Sequence, residues 1–473
     1  MKFHLTNVFL LLSLIIAPVL GKCKHPDVRR EFRNLSSKER HRYAKAVNEV
    51  YRRGWVDNLT QNHFTSGRHV HGVPAFFPWH RQFIRDYESL LQKIDPGLTL
   101  PYWDWTLDSC DPSYSKIFND DYMGGNGDPN SNYCLQDGPY KGWQMGIVDP
   151  HCLQRQFNMT QYWGPEVLLE VQNNSTVYSE LHNRIEDTVH AAVHTSIGGD
   201  MAQMISPNDP IFFLHHAMVD KLWYDWQLMG KGRSRFREYN GVDSTRNNVT
   251  VKPSDPLPEY QFLRIEDVLD PRGGHLCYDY EENAARRSAI KLLNLYENNT
   301  PPRSLDETAH IISNDLGYPD VDINVLSPEE REMKVGSGNP DWWNRMNNLD
   351  SDRVHRHYLE ASDIVGRLSK LPNFLSPAVV QLAYAKSHGF ERQSGSAGSG
   401  GVPPPFQRAT PVVDSAFIPV TTPVPGQTSG SSATRARAAA GGSGVATPAN
   451  GNRSDSWSDD FFNDDNDDFE DIF

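Results

Sequence analysis

Apolar side chains recur at every third or fourth position in several stretches before residue 300, which is the period of an amphipathic α-helix. In residues 79–92, for example, Phe83, Ile84, Tyr87 and Leu91 fall near one face of such a helix. The same period predicts helices over residues 37–53, 183–197 and 210–228. The links between these stretches are rich in Gly, Pro and Asn, so the pattern predicts a mainly α fold with long loops.

The N-terminus has the features of an export signal. Lys2 precedes an almost wholly apolar run at 8–16, and Val19 and Gly21 stand where small residues precede a cleavage site. An N-terminal membrane anchor is the alternative, but the apolar run is too short to span a bilayer comfortably. We therefore predict a signal peptide over 1–21, a secreted protein and no stable membrane insertion.

Composition divides the rest of the chain into three regions. Residues 22–299 hold the aromatic and histidine-rich motifs, and residues 300–391 contain further helical stretches that predict a helical C-terminal extension. Residues 392–473 are of low complexity and end in an acidic stretch. Such a segment cannot bury enough apolar surface to offset chain entropy, so we predict a disordered tail. Its phenylalanines leave open a second role, in which the tail covers a functional site until proteolysis.

Charge and cysteine content narrow the class of protein. The formal net charge is −14, which argues against a nucleic-acid-binding protein, because such proteins usually carry a basic face. In an exported chain most cysteines are expected to form disulfides, and an odd number leaves one over. Several Asn-x-Ser/Thr triplets, among them Asn34, Asn58 and Asn158, predict glycosylation. The five cysteines, whose pairing the sequence does not determine, are Cys23, Cys110, Cys134, Cys152 and Cys277.

Histidines concentrate beside aromatic residues, and two of these places are sharply patterned. Residues 209–220 read DPIFFLHHAMVD, in which the proline suits a helix start and His216 lies one turn before Asp220. His190 and His194 are four positions apart, so both imidazoles can reach one ion. An HxxxH pair alone is weak evidence, and without a Glu after the first His it is not the zinc-protease motif.

A second group of histidines lies upstream. Residues 71–81 read HGVPAFFPWHR, so His71 can lie in a loop and His80 on the helix that follows. His63 and His69 come shortly before them, and one of the two would complete a set of three.

The donor set favours copper. Neutral imidazole suits copper, zinc, iron and nickel, whereas calcium and magnesium require oxygen ligands. A zinc hydrolase usually shows a carboxylate or thiolate among its ligands, or an open position with a general base nearby. Here two groups of histidines occur with no carboxylate at ligand spacing. Two copper ions with three imidazoles each would leave room between them for dioxygen.

Two of these segments resemble the copper-binding signatures of the tyrosinase and catechol oxidase family. Residues 71–88 match the first signature as H-x4-FF-x-WHR-x2-I-x3-E, and residues 209–220 match the second as DP-x-FF-x2-H-x3-D. Both match without a gap and in the family's order. The shorter runs PYWDW at 101–105 and CYDY at 277–280 are also similar to family features. The resemblance covers residues 23–280.

The resemblance implies that residues 22–299 form a copper catalytic domain, a four-helix bundle around a binuclear type-3 site. The implied activity is the oxidation of o-diphenols to o-quinones with dioxygen, to which some members add the hydroxylation of monophenols. Small phenols and dioxygen would be the partners, and no oligomeric state is implied. The implied ligands are His63, His71 and His80 for one copper and His190, His194 and His216 for the other. The spacing of the first ligand varies in the family, so His69 is the alternative to His63.

The resemblance also implies roles for residues beside the ligands. His215 would lie behind the ligands without binding copper, and Asp220 would orient an imidazole by accepting its free N–H. Next to His80, Arg81 is expected to form a buried ion pair with Asp209 or Asp220.

Departures from the family bear on the choice of substrate. Ala191 stands where members that hydroxylate monophenols often have Asn, which with a nearby carboxylate is thought to hold a water that deprotonates the phenol. Glu186 or Asp187 is the catalytic carboxylate available for this role. Because the Asn is missing, we expect diphenol oxidation to exceed monophenol hydroxylation. His69 stands where many members have a Cys, so no thioether to His71 is expected.

Two other functions remain open at this point. An oxygen carrier of the haemocyanin type uses the same six-histidine site and would bind dioxygen reversibly while excluding phenols. A metal-free structural relative is the third possibility, against which the intact histidines argue. Quinone formation from catechol by the copper-loaded protein would separate all three.

Overall fold

The structure is a computed structural model that describes residues 23–319, 321–336 and 338–393. The predicted signal peptide over 1–21 and the predicted tail from residue 394 onward lie outside the described residues. The described part of the chain contains twelve α-helices, and none of them is long and apolar enough to cross a bilayer. They are α1 (Ser37–Arg52), α2 (Trp55–Val70), α3 (Phe76–Ile94), α4 (Pro165–Asn174), α5 (Tyr178–Ile185), α6 (Ala191–Ile197), α7 (Ile211–Leu228), α8 (Ala284–Glu297), α9 (Leu305–Leu316), α10 (Asp341–Met346), α11 (Ser351–Leu368) and α12 (Pro377–Ser387).

The β structure is sparse and consists of two-stranded pairs. β1 and β8 are parallel, with Asp27 opposite Tyr278, whereas the pairs β2–β3, β4–β5 and β6–β7 are antiparallel. The predicted fold class, mainly α with long loops, is therefore confirmed. The strands are β1 (Asp27–Arg29), β2 (Gly127–Asp128), β3 (Cys134–Leu135), β4 (Gln144–Met145), β5 (His151–Cys152), β6 (Val242–Asp243), β7 (Val249–Thr250) and β8 (Tyr278–Tyr280).

The helices expected from the apolar period are present, with two informative differences. The single helix expected over 183–197 is instead α5, a π-helical turn at Glu186–His190, and α6. Such turns are rare and occur mostly at functional sites. The apolar period did not predict α2, because polar side chains outnumber apolar ones in WVDNLTQNHFTSGRHV. Its face is buried by packing, which overrides this weak local signal.

One hydrophobic core connects the predicted catalytic domain with the predicted extension. Its buried members include Trp79 and Trp223 from the first region and Trp343, Tyr358 and Ile364 from the second. A smaller cluster joins α8, α9 and α12. Residues 23–393 thus belong to one compact unit, within which the boundary between 299 and 300 stays a prediction.

Two disulfides are formed, Cys23–Cys277 and Cys134–Cys152. The first joins the chain ahead of β1 to the residue just before β8, and so closes the two ends of the region with the family resemblance. Cys110 is the free cysteine of the described chain and is half-buried. The disulfide between Cys23 and Cys277 closes a long loop, and such a cross-link stabilises the fold chiefly by restricting the unfolded chain.

Candidate metal centre

Three buried histidines converge between α2 and α3. His63 lies on α2, His71 follows the last residue of α2, and His80 lies in the second turn of α3. One ring nitrogen from each lies within 4.8 Å of those of the other two, and Nε2 of His63 is 3.2 Å from Nε2 of His71. His69, the alternative to His63, is exposed on α2 and is not part of this group. We call these three residues the first triad.

Hydrogen bonds on the far side of two of these rings fix which nitrogen faces the centre. Nδ1 of His63 lies 2.8 Å from the carbonyl oxygen of Met204, and Nδ1 of His80 lies 2.8 Å from that of Phe76. A carbonyl only accepts, so Nδ1 carries the proton and the lone pair is on Nε2. This arrangement orients and tunes imidazoles that bind metals.

A second group of histidines is built around the π-helical turn. It consists of His190, His194, His215 and His216, whose nearest ring nitrogens also lie within 4.8 Å of one another. Nδ1 of His194 donates to the carbonyl oxygen of Met201 over 2.7 Å, and its Nε2 lies 3.3 Å from Nε2 of His216. We call His190, His194 and His216 the second triad.

A glycine pair makes the bond from His194 possible. Gly198 ends α6 with φ of +67°, and Gly199 follows with φ of +55°. A Cβ on Gly198 would stand 2.1 Å from the carbonyl oxygen of Gln156, so only glycine fits there. The tight turn returns the chain and places the carbonyl of Met201 beside the imidazole.

The two triads are adjacent. The rings of His80 and His216 are stacked with centroids 4.4 Å apart, and the centroids of His71 and His190 are 6.0 Å apart. His215 lies against His190 and His194, with ring centroids 5.4 and 4.8 Å away, and neither of its nitrogens has a hydrogen-bond partner in the described chain. Its predicted place behind the ligands remains a prediction.

These histidines fit a pair of metal ions. Burial lowers the pKa of His63, His80, His190 and His216 well below the ordinary value of 6.5, and lowers that of His194 to about 3. The rings of these five histidines are therefore neutral, and Nε2 of His80, whose proton is held on Nδ1, is a buried acceptor with no hydrogen-bond partner in the described chain. Buried acceptors with no donor are costly, and a cation between them removes that cost. Six imidazoles without a carboxylate suit copper.

Glu186 contacts a histidine of the first triad from behind. Its Oε1 lies 3.3 Å from Nδ1 of His71 and accepts the backbone N–H of Gly72, while its Oε2 accepts a 2.6 Å hydrogen bond from His182. Burial alone would raise the pKa of Glu186, but His182 and His71 lower it below its ordinary value. The group is thus a carboxylate whose oxygens both already have partners.

Asp187 is fully buried and is engaged away from the triads. Its carboxylate accepts hydrogen bonds from Nε and Nη2 of Arg353 at 2.6 and 2.9 Å, and Nδ1 of His357 is 3.2 Å away. Both partners belong to α11. Asp187 therefore attaches the π-helical turn to the extension.

The prediction that Asp220 orients an imidazole is wrong. It accepts from Nε of Arg81 at 2.6 Å and from the hydroxyls of Tyr278 and Tyr280 at 2.5 and 2.7 Å, and it has no imidazole partner in the described chain. Arg81 does form the expected buried ion pair, and Asp220 is its partner. Asp209 instead binds Arg155.

Two residues near the triads were missed by sequence reasoning. His182 lies four positions before Glu186, a spacing that signals contact on a helix. Trp343 lies far along the chain on α10, and its ring centroid is 5.3 Å from that of His194. No local pattern marks it, because the contact is made only by folding.

Part of the chain is similar to known proteins. The common central domain of tyrosinase matches residues 49–229. Tyrosinase ustQ of Aspergillus flavus is 32% identical over 290 residues, which are 54% of this chain and 80% of that protein. The tyrosinase of Streptomyces glaucescens is 31% identical over 281 residues, covering 53% and 98% respectively. The structure of a polyphenol oxidase from Thermothelomyces thermophila superposes with a TM-score of 0.47 at 22% identity, covering 54% of this chain and 89% of that one.

The chain therefore belongs to the tyrosinase family of type-3 copper proteins. Membership implies a binuclear copper centre and supports an oxidoreductase of the copper-dependent phenol oxidase type. The two triads are the histidine groups of the described chain that fit such a centre.

Proposed function

We propose that the protein oxidises o-diphenols to o-quinones and reduces dioxygen to water at two copper ions. The observation that carries this proposal is the pair of adjacent triads, each with three buried imidazoles. His63, His71 and His80 would hold one copper, and His190, His194 and His216 the other. Copper supplies redox cycling between its two oxidation states and a template that orients the substrate.

The surrounding residues position the imidazoles. The carbonyls of Met204, Phe76 and Met201 each hold the Nδ1 proton of one histidine, which keeps Nε2 available for metal. For His71 the nearest such group is the carboxylate of Glu186, whose Oε1 lies 3.3 Å from Nδ1 and places a negative charge next to the first triad. The contacts of Glu186 thus favour a role in positioning His71. The role predicted from the sequence, in which Glu186 holds a water, stays a prediction.

The proposal includes a preference for diphenols over monophenols. Ala191 follows His190, is buried, and can neither donate nor accept a hydrogen bond through its side chain. Donors of the protein already bind the oxygens of Glu186 and Asp187, and Ala191 gives a water beside either carboxylate no second anchor. A monophenol would therefore lack a base for its proton.

The proposed activity would be exercised outside the cell. Two disulfides suit an oxidising compartment, and the sequon residues Asn34, Asn58 and Asn158 are exposed. Small phenols and dioxygen are the proposed partners, without nucleic acid.

The test is to load the purified protein with copper, count the metal and add catechol. We expect two coppers per chain, quinone absorbance and matching oxygen consumption. Oxygen uptake that is reversible and yields no quinone would replace the proposal with an oxygen carrier. Binding of zinc in preference to copper would exclude both functions.

A further inference from the structure

A segment from the C-terminal extension lies against the second triad. Trp343, on α10, is 2% exposed, and its ring centroid is 5.3 Å from that of His194 and 6.2 Å from that of His190. The match to the tyrosinase central domain ends at residue 229, more than a hundred positions earlier. This tryptophan thus comes from outside the matched domain and lies against two of the proposed copper ligands.

The same segment fits closely against the chain beside the first triad. Gly72, the residue after His71, has φ of +67°, and a Cβ there would stand 2.6 Å from the carbonyl oxygen of Asn348 and 2.7 Å from that of Asn347. Only a residue without a side chain allows this approach. The turn between α10 and α11 is therefore packed directly on the backbone that follows a first-triad histidine.

Polar contacts attach both ends of the segment to the π-helical turn. Asn339, before α10, donates from Nδ2 to the carbonyl oxygen of Asp187 over 2.6 Å. Arg353, on α11, donates to both oxygens of the Asp187 carboxylate. Since Asp187 lies three positions before His190, the position of Trp343 is set relative to the second triad.

Two features of Trp343 suit contact with an aromatic ligand. Its indole presents a large flat surface, and Nε1 is buried without a hydrogen-bond partner in the described chain. The six triad imidazoles are themselves at most 3% exposed, so a ligand that reaches them must lie against the residues that cover them.

We propose that Trp343 is a specificity-determining residue, whose indole packs against the ring of a bound phenol and excludes bulky ring substituents. This inference rests on the proposed function. It makes the extension a part of the substrate site, and selectivity is then set partly by a segment beyond the domain that holds the histidines.

The experiment compares Trp343→Leu and Trp343→Phe with the control Trp342→Ala in copper-loaded full-length protein. Trp342 is the half-buried neighbour on α10; its indole meets that of Trp343 edge-on, with ring centroids 6.0 Å apart, but has no ring contact with a histidine of the described chain. The first measurement is the Kd of benzoate, an aromatic acid that is not turned over. The second is the ratio of kcat/KM for 4-tert-butylcatechol to that for catechol. Copper content and Tm are recorded for each variant.

Trp343→Leu keeps the site apolar but removes the aromatic surface, so we expect the Kd of benzoate to rise roughly three- to tenfold, as for loss of one aromatic pair. The ratio of kcat/KM should rise about threefold or more as space opens for the bulky substituent. Trp343→Phe should restore most of the benzoate affinity, and Trp342→Ala should change neither value.

Equal benzoate affinity in Trp343→Leu, Trp342→Ala and the unaltered protein, with two coppers in each, would overturn the inference. A purely structural role would lower the Tm of Trp343→Leu and leave both the Kd and the ratio unchanged. If the unaltered protein oxidises no catechol, the proposed function fails, whereas a Kd of benzoate that depends on Trp343 would still support contact with an aromatic ligand.

Discussion

Oε1 of Glu186 lies 3.3 Å from Nδ1 of His71, while the other oxygen of the same carboxylate is bonded to His182. The contact joins the first residue of the π-helical turn to a histidine of the first triad. Since that turn ends at His190 of the second triad, one short segment connects the two proposed copper sites. The first residue of that segment, Glu186, is an ionised carboxylate, since His182 and His71 lower its pKa.

Removal of this charge should weaken copper binding. In Glu186→Gln the amide can still accept the N–H of Gly72, but it no longer supplies a negative charge next to His71. We expect copper affinity of the first site to fall by roughly 10- to 100-fold, as for other partners of metal-binding histidines. Equilibrium dialysis against a copper chelator measures this. Glu180→Gln, a partly exposed carboxylate on α5, is the control, and equal affinity in both variants would contradict the role of Glu186.

Substitution of single histidines should affect copper content and quinone formation differently for ligands and for their neighbours. His80→Ala and His216→Ala should each abolish quinone formation, because each leaves one triad with only two imidazoles. His215→Ala should retain two coppers. Because the side chain of His69 is exposed, His69→Ala should also retain two, whereas His63→Ala should lose one. Metal analysis after dialysis decides each case. Loss of copper from His215→Ala equal to that from His216→Ala would mean that His215 is the ligand.

Sequence reasoning brought together histidines that lie together in the structure, because all of them except His63 lie in a local motif or at helical spacing, while their role as ligands stays a prediction. It could not predict what depends on distant pairing. Asp220 was expected to meet an imidazole, but Arg81, Tyr278 and Tyr280 occupy its oxygens, and these residues come from other parts of the chain. Trp343 was missed for the same reason. The ion pair of Asp187 with Arg353 also depends on distant pairing, because Arg353 lies on α11, far along the chain.

Arg353 should contribute to stability because its partner is fully buried. Arg353→Met leaves the carboxylate of Asp187 with only the weaker contact to His357. The expected loss is about 2 kcal/mol in the free energy of unfolding, below the cost for a fully buried pair because Arg353 is 26% exposed. Urea denaturation measures it. Arg356→Met, at an exposed position of α11, is the matched control, and an equal effect in the two variants would refute the prediction.

Glu166 should make stability depend on pH. It is buried on α4, where it accepts a 3.0 Å hydrogen bond from Ser376, and burial raises its pKa to about 7. The folded state therefore holds its proton more tightly than the unfolded state, in which the pKa is near 4.5. The stabilisation from this proton is fully present below pH 4.5 and is lost as pH rises through 7, a change of about 3 kcal/mol.

Glu166→Gln removes this dependence, since an amide does not titrate. We expect the free energy of unfolding of the variant, relative to the unaltered protein, to rise between pH 4.5 and 8. Glu170→Gln on the same helix changes a partly exposed carboxylate and serves as control. A difference between Glu166→Gln and the unaltered protein that is constant over this range would show that Glu166 has an ordinary pKa.

Ala191 should limit the protein to diphenols. A monophenol has a hydroxyl pKa near 10, so it must lose its proton to a nearby base before it can be hydroxylated. An alanine at the position after His190 offers no anchor for a water that could act as this base. Ala191→Asn would add one. We expect diphenol turnover by the unaltered protein to exceed monophenol turnover clearly, and Ala191→Asn to raise monophenol turnover several-fold.

The measurement compares tyramine with dopamine on one copper-loaded preparation of each variant. Ala191 is fully buried, so the larger side chain can also disturb packing. Ala192→Asn introduces the same side chain one position further along α6, at a site that is 7% exposed, and controls for this effect. Comparable turnover of tyramine and dopamine by the unaltered protein would defeat the preference itself. If Ala191→Asn and Ala192→Asn gain equally little on tyramine while keeping both coppers, the preference stands, but the missing anchor at Ala191 does not explain it.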